Sequence, residues 1–155
     1  MKRLQSFGAI VFRRGPKKGE PLFLVLHFVQ GHWEFPRGSV DPRDADSEAT
    51  ARREIFEETG MTDLVLIPGF TTENSFAMRD GKRAIPKTVT LFLTEVLSPR
   101  VRLSSEHTQY RWLPYRKARA LITYDGSKKM LDDAHQFLKN IHAANHHAPS
   151  ARRTS

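Results

Sequence analysis

The chain has 155 residues, no cysteine and a formal net charge of +8 at pH 7. This length suits one domain that buries a core without disulfides, and the lack of cysteine excludes a disulfide scaffold, thiolate chemistry and cysteine-based zinc sites. The charge favours anionic partners such as a polyphosphate, a nucleic acid or an anionic membrane surface. A basic surface that only maintains solubility is the simpler alternative. Because the basic residues are dispersed, they favour a lined binding site over a polybasic tail.

The first part of the chain is predicted to form two strands followed by a long loop. The segments "SFGAIVFRR" and "PLFLVLHFV" are apolar, and the turn-like "GPKKGE" joins them, which is typical of paired strands. The apolar run near the N-terminus is short and interrupted, so we expect neither a signal peptide nor a membrane span. The next segment, "QGHWEFPRGSVDPRDADS", is rich in Gly, Pro, Asp and Ser and predicts the loop.

A helix is predicted directly after this loop. Asp46 or Ser47 can act as its N-cap, "EATARREIFEET" forms its body, and Gly60 takes the C′ position. Its apolar face lies on a different side from its cluster of carboxylates.

The second half of the chain is predicted to contain further strands and one long helix. The strand segments are "DLVLIPGF", "KTVTLFLTEV" and "QYRWLP". The segment "SKKMLDDAHQFLKNIHAA" carries apolar residues at helical spacing and predicts the helix. Residues 143–155 lack apolar content and are predicted to be a disordered tail, which leaves one domain over residues 1–142. The sequence thus predicts an α/β domain with a mixed sheet between helices.

Three glutamates crowd into five positions of the first predicted helix. Glu54, Glu57 and Glu58 have the spacing i, i+3 and i+4, so their carboxylates converge on one side. The simpler interpretation is a solvated charged face with Arg52 and Arg53 as partners. Alternatively a divalent cation lies among them, because magnesium takes oxygen ligands from carboxylates and phosphates together. A basic protein with such a helix suggests a metal-dependent phosphohydrolase.

The segment "GSVDPRDADSEATARREIFEETGM" resembles the Nudix box, G-x5-E-x7-R-E-U-x-E-E-x-G-U, in which U is a bulky aliphatic residue. The second half of this pattern is complete. In the loop half, Asp44 stands where glutamate is usual, and eight rather than seven residues separate it from Arg53.

The resemblance implies a Nudix α/β/α sandwich with a mixed β-sheet and a catalytic site on the box helix. Glu54, Glu57 and Glu58 would bind magnesium or manganese, and one of them would activate water. Arg53 would orient the carboxylates, and the carbonyl of Gly38 would also ligate the metal.

The rest of the chain, from about Phe7 through Ile141, resembles the asymmetric diadenosine tetraphosphate hydrolases. The matching segments are "FGAIVFRR", "HWEFPRG", "GFTTENSFAMRDGKRAIPKTVTLFLTEV", "LSSEHTQYRWLP" and "DDAHQFLKNI". This resemblance implies a hydrolase that cleaves a phosphoanhydride bond of a dinucleoside polyphosphate. Diadenosine tetraphosphate and water would give ATP and AMP.

The resemblance also assigns residues to the substrate. Phe76 and Tyr124 take the places of aromatics that stack on adenine. Arg37 and Lys87 take the places of lysines that hold phosphates, and Glu106 takes that of a distal glutamate that completes the metal site. Flat apolar rings suit a base and cations suit phosphate. The structural alternatives are a packed loop aromatic for Phe76, an ordinary turn for Tyr124 and a strand-edge charge for Lys87.

Several positions depart from those hydrolases. Ser39 stands where histidine is usual and Arg43 where glycine is usual. Both positions lie in the loop beside the phosphate chain, so these departures bear on the length of the polyphosphate and on the position of cleavage. An insertion carries three more basic residues, Arg79, Lys82 and Arg83. It can favour a longer polyphosphate or RNA. His107 is interpreted as a loop histidine that bonds the backbone, outside the catalytic set.

Two alternative functions remain open from the sequence. One is an RNA 5′-pyrophosphohydrolase that acts on triphosphorylated RNA, which the basic surface permits. The other is a non-catalytic nucleotide-binding module, which the presence of all three glutamates disfavours. In each case we expect a cytoplasmic monomer with no membrane partner.

Overall fold

The computed structural model describes residues 4–146, in which four strands precede the first helix, four follow it and two helices end the described part. The strands are β1 (Leu4–Arg14), β2 (Pro21–Phe28), β3 (Trp33–Glu34), β4 (Arg37–Ser39), β5 (Val65–Leu66), β6 (Thr72–Asp80), β7 (Arg83–Glu95) and β8 (His107–Leu113). The helices are α1 (Ser47–Thr59), α2 (Tyr115–Leu121) and α3 (Asp125–His146).

Strand β1 lies in the middle of one mixed sheet. It runs parallel to β7, with Leu4 opposite Lys87 and Phe12 opposite Glu95. It also pairs antiparallel with β2 and with the short β4. The order is β3-β2-β1-β7-β5, with β6 paired to β7 and β8 paired to β2. The predicted mixed sheet is confirmed.

Both faces of the sheet are covered, so the core consists of two apolar clusters. Ile10 and Phe12 of β1 pack in the cluster that contains residues of α2 and α3. Ala9 and Val11 point the other way and pack with Ile55 of α1. Because the side chains of a strand alternate, a strand segment buried on both faces is continuously apolar, as β1 is from Ala9 to Phe12. The helices on the two faces give the predicted α/β/α layering.

Helix α1 begins and ends at the predicted residues. The Asp46 side chain accepts the amide of Ala49 at 2.8 Å, which identifies Asp46 as the N-cap. Gly60 has φ 75° and donates its amide to Phe56 O at 2.8 Å. This left-handed backbone favours glycine at the position.

Strand β6, and with it the hairpin that it forms with the predicted strand β7, is the main element that the sequence analysis missed. It turns at Gly81, with Asp80 opposite Arg83, and places the basic insertion at its tip. Most β6 residues are exposed, so the strand lacks the apolar alternation on which strand prediction depends. Helix α2 and the short strands β3 and β4 were missed as well.

Helix α3 extends further than the sequence predicted. It continues through His146, so the assignment of residues 143–146 to a disordered tail is wrong. Ala143 and Ala144 are strong helix formers and support this continuation. Residues 147–155 of the predicted tail lie outside the described residues. No helix among residues 4–146 has the length and apolar character needed to cross a membrane.

Candidate active site

Strand β4 lies directly against the acidic face of α1. Gly38 pairs with Phe7 of β1, and a Cβ atom added at Gly38 would overlap the carboxylate of Glu54. Glycine therefore allows the backbone of β4 to approach this carboxylate. The contact brings together two predicted metal ligands that are far apart in the sequence.

Arg53 connects the loop before α1 to the carboxylates on α1. Its Nε and Nη2 atoms donate to Asp44 Oδ1 and Oδ2, each at 2.9 Å. Its Nη1 donates to Glu54 at 3.0 Å and to Glu57 at 3.2 Å, and Nη2 also donates to Ser39 O at 2.8 Å. The guanidinium thus holds β4 and both carboxylates in a fixed arrangement, as the predicted orienting role requires.

Asp44 anchors this arrangement from the loop. Besides Arg53, its carboxylate accepts the Asp41 amide and the Thr50 hydroxyl, each at 2.8 Å. The bonds from Arg53 hold the pKa of Asp44 far below its usual range. An aspartate within the longer loop therefore still reaches Arg53 in bidentate geometry.

Glu58 is the most deeply buried of the three box glutamates. Its Oε1 has no hydrogen-bond partner and lies 3.6 Å from His107 Nε2. Burial, with the charges of Glu54 and Glu106, raises the pKa of Glu58 to about 8, although the Arg37 amide donates to its carboxylate. Burial also raises the pKa of Glu54, against the opposing effect of Arg53.

A cavity of about 450 Å³ opens beside this cluster. Its lining includes all of the predicted substrate residues, Arg37, Phe76, Lys87 and Tyr124. This volume is within the range of small-molecule sites in proteins. The lining also contains seven residues that the sequence analysis did not assign to the site, His32, Glu34, Asn74, Met78, Val89, Ser127 and Met130.

The cationic side of the cavity is supported by a buried carboxylate. Arg37 forms an ion pair with Glu34 at 3.2 Å, and Glu34 also accepts the hydroxyl of Ser127 from α3 and the amide of Phe35 at 3.0 Å. Partial burial and the charge of Arg37 lower the pKa of Lys87. Two cations near each other in a cavity favour an anionic ligand such as a phosphate chain.

Two half-exposed aromatic rings also line the cavity. Phe76 on β6 is 41% exposed and Tyr124, just before α3, is 53% exposed. Phe76 is therefore not a packed core residue, and it stands directly opposite Lys87 across the β6–β7 pair. The ring centroids of His32 and Tyr124 are 5.8 Å apart. These rings offer the flat apolar surface that a base requires.

A model of the NUDIX domain matches residues 2–134. The chain belongs to the Nudix family. It is 41% identical over 145 residues to the asymmetrical bis(5′-nucleosyl)-tetraphosphatase of Mus musculus, covering 87% of this chain and 95% of the mouse protein. The Sus scrofa protein of the same name is 38% identical over 150 residues, covering 90% and 99%.

The Nudix fold is confirmed by a solved structure. The binary complex of C. elegans Ap4A hydrolase matches with a TM-score of 0.78 and 27% identity, covering 88% of this chain and 98% of that one. Together with the mouse and pig proteins, this match confirms the resemblance to asymmetric tetraphosphate hydrolases that the sequence showed.

The Nudix box residues fit a hard divalent cation, the cofactor that this family generally uses. The unpaired Oε1 of Glu58, the half-buried Glu54 carboxylate and the Gly38 carbonyl beside it are all oxygen donors, which such a cation prefers. Within residues 4–146, however, no three His, Cys, Asp or Glu side chains already form a complete metal site. Glu57 instead contacts Arg53 and is more than half exposed.

Glu106, in the loop before β8, and His107, the first residue of β8, have different surroundings. Glu106 is exposed, but its charge raises the pKa of both Glu54 and Glu58, so it acts on the Nudix carboxylates from nearby. The His107 ring contacts the Ser104 hydroxyl at 2.9 Å and faces Glu58. Its interpretation as a histidine that bonds the backbone is therefore wrong.

Proposed function

We propose that this Nudix protein hydrolyses dinucleoside polyphosphates, and that diadenosine tetraphosphate with water gives ATP and AMP. The observation that carries the proposal is the cavity in which Arg37, Phe76, Lys87 and Tyr124 meet beside the box helix. The names of the mouse and pig relatives, asymmetrical bis(5′-nucleosyl)-tetraphosphatase, support the same substrate class.

The Nudix box supplies the reactive part of the proposed site. The groups that would hold magnesium or manganese are the carboxylates of Glu54, Glu57, Glu58 and Glu106 and the carbonyl of Gly38. When bound, the cation would supply positive charge to the phosphoryl oxygens. One box glutamate accepts a proton from water as the water oxygen attacks phosphorus, and the bond from that phosphorus to the bridging oxygen breaks. Arg53 keeps the carboxylates in place.

The cavity supplies substrate recognition in this proposal. Phe76 and Tyr124 hold one adenine between exposed aromatic surfaces. Arg37 and Lys87 hold the phosphates next to that nucleoside, and Glu34 keeps the Arg37 guanidinium in position. Positioned in this way, the phosphate chain extends from the cavity toward the box glutamates.

The alternatives are less well supported. The names of the relatives do not favour an RNA 5′-pyrophosphohydrolase, and the basic hairpin tip that suggested RNA is not part of the cavity lining. A non-catalytic module would not require the three box glutamates, Glu54, Glu57 and Glu58, all of which this chain retains. The proposal also includes a cytoplasmic monomer. Its single Nudix domain would end after α3 rather than at residue 142. Sedimentation equilibrium would test the monomer.

Product analysis tests the function directly. Purified protein with magnesium is incubated with diadenosine tetraphosphate, in parallel with triphosphorylated RNA, and the products are separated by chromatography. We expect ATP plus AMP from the dinucleotide and intact RNA. Release of pyrophosphate from RNA, with little dinucleotide cleavage, would replace the proposal with the RNA alternative.

Replacement of a box carboxylate tests the assignment of the reactive site. We expect Glu58→Gln to lower kcat by about two orders of magnitude or more, because a proton acceptor or metal ligand is lost. Glu48→Gln is the matched control, since Glu48 is exposed on the first turn of the same helix and pairs only with Arg52 at 3.0 Å. Near-normal turnover in Glu58→Gln would contradict the assignment.

A further inference from the structure

Two buried polar atoms face each other between α1 and the start of β8 without a conventional hydrogen bond. Glu58 Oε1 and His107 Nε2 are 3.6 Å apart, and neither has another partner among residues 4–146. The His107 side chain is 0% exposed and that of Glu58 is 7% exposed. Buried polar groups are rarely left unpaired because the loss of hydration is costly. The arrangement therefore indicates that this pair has a further role.

The His107 ring is held in one orientation. Its Nδ1 atom lies 2.9 Å from Ser104 Oγ, and the Phe28 ring meets it edge-on with centroids 4.2 Å apart. The backbone amide of His107 also donates to Ser104 O at 3.2 Å. With these contacts, Nε2 can point only toward Glu58.

Ser104 Oγ lies between the His107 ring and the Glu106 backbone. It accepts the backbone amide of Glu106 at 3.3 Å and lies 2.9 Å from His107 Nδ1. We assign the single hydrogen of Ser104 Oγ to His107 Nδ1, which places the ring hydrogen on Nε2, directed at Glu58 Oε1. A continuous chain of donors runs from the Glu106 amide through Ser104 and His107 to Glu58.

We propose that His107 is a positioning residue that holds the Glu58 carboxylate in the orientation needed to ligate a divalent cation. Movement of about 0.5 Å would bring the 3.6 Å separation to hydrogen-bond length. His107 Nε2 and the Arg37 amide then fix the carboxylate, and its remaining lone pairs face the cation. Because Ser104 also bonds the Glu106 amide, one series of hydrogen bonds positions two candidate metal ligands, Glu58 and Glu106. This inference rests on the proposed metal-dependent function.

Two substitutions at His107 separate positioning from packing. A glutamine at position 107 places its amide nitrogen near the position of the histidine Nε2. An asparagine places its amide nitrogen only near the position of the histidine Nδ1. We expect His107→Asn to weaken Mn²⁺ binding to the full-length protein about tenfold or more, the scale for loss of a group that orients a metal ligand. His107→Gln should stay within about threefold of the wild type. His27→Asn is the control, because His27 Nδ1 also contacts a hydroxyl, that of Thr108 at 2.6 Å, away from Glu58.

The measurement is a calorimetric titration of Mn²⁺ without substrate, together with thermal unfolding of the metal-free variants. Weak Mn²⁺ binding in His107→Asn that is restored in His107→Gln would support the proposal. Equal affinity in all variants, or equal weakening in both His107 variants with the same loss of stability, would overturn it. If His107→Asn does not fold, Ser104→Ala provides the test. It frees the ring, and unchanged Mn²⁺ affinity in that variant would also overturn the proposal.

The experiment also separates this inference from the proposed function. Mn²⁺ affinity is measured without any nucleotide, so it does not depend on which substrate the protein cleaves. If wild-type protein binds Mn²⁺ but fails to cleave diadenosine tetraphosphate, the proposed function fails and the comparison of His107 variants still stands.

Discussion

At the scale of single residues, Gly38 is the point where the loop and the helix of the Nudix box come closest. A Cβ atom at this position would overlap the Glu54 carboxylate, so β4 or Glu54 must move when any side chain is introduced. We expect Gly38→Ala to lower kcat roughly 10²-fold, the scale for small displacements of reactive groups. Steady-state kinetics at saturating magnesium would measure it.

The neighbouring residue provides the control for Gly38. Ser39→Ala keeps the backbone carbonyl that accepts from Arg53 and removes only a hydroxyl. We expect its kcat to remain within about threefold of the wild type, since no group moves toward Glu54. If both variants lost activity equally, disturbance of the loop rather than the contact with Glu54 would be responsible.

The raised pKa of Glu58 gives the metal-free protein a specific pH dependence. The pKa is about 8 in the folded protein and 4.5 ordinarily. Between these values the folded protein keeps a proton that the unfolded chain releases, so the free energy of unfolding falls as pH rises and levels off above about pH 8. The contribution is a few kcal/mol at most. Divalent cations should reverse the loss by favouring the ionised carboxylate.

Denaturant unfolding in a chelator at pH 6 and pH 9 would test this dependence. We expect the loss of stability between these two pH values to be smaller in Glu58→Gln than in the wild type, because glutamine has no proton to release. Other titrating groups contribute to both proteins and cancel in the comparison. Identical losses would show that the carboxylate of Glu58 has an ordinary pKa when the metal is absent.

At the scale of elements, α1 depends on its caps because its exposed face carries repelling carboxylates. The Asp46 side chain bonds the Ala49 amide at 2.8 Å. We expect Asp46→Ala to lower the free energy of unfolding by about 1 kcal/mol, the usual value of an N-cap. Urea unfolding would measure the change. Asp46→Asn retains an acceptor oxygen and should cost less, and an equal cost would exclude the cap bond as the cause.

The elements that could be predicted from the sequence have local signatures. Strand β1 is continuously apolar from Ala9 to Phe12 because both of its faces are buried there, and α1 has an N-cap at Asp46 and a terminal Gly60. Strand β6 has a mostly exposed, polar sequence and exists because it pairs with β7. Such long-range pairing leaves no local pattern that a single sequence could reveal.

The same distinction applies to the candidate site. The spacing of Glu54, Glu57 and Glu58 predicted one acidic face because helix geometry is local. Asn74 and Met78 were not predicted because they reach the cavity only through the register of β6 on β7. The pairing of Glu58 with His107 likewise depends on a contact between α1 and the beginning of β8, nearly fifty positions apart in the sequence.

At the scale of the whole molecule, a net charge of +8 surrounds the acidic face of α1. In the proposed function the overall field would attract a polyphosphate, and Arg37 and Lys87, which line the cavity, would bind it at short range. Salt screens the overall field much more than the short-range contacts of Arg37 and Lys87, because the Debye length falls from about 10 Å at 0.1 M to about 3 Å at 1 M.

We therefore expect the KM for diadenosine tetraphosphate to rise several-fold between about 0.05 and 0.5 M KCl while kcat changes little, because salt weakens encounter rather than chemistry. Steady-state kinetics at constant free magnesium would measure both.

A variant with serine at the three basic residues of the hairpin tip, Arg79, Lys82 and Arg83, lowers the net charge from +8 to +5. It should show a weaker salt dependence with the same kcat. A salt-dependent kcat at constant KM would place the effect at the metal site instead of the surface field.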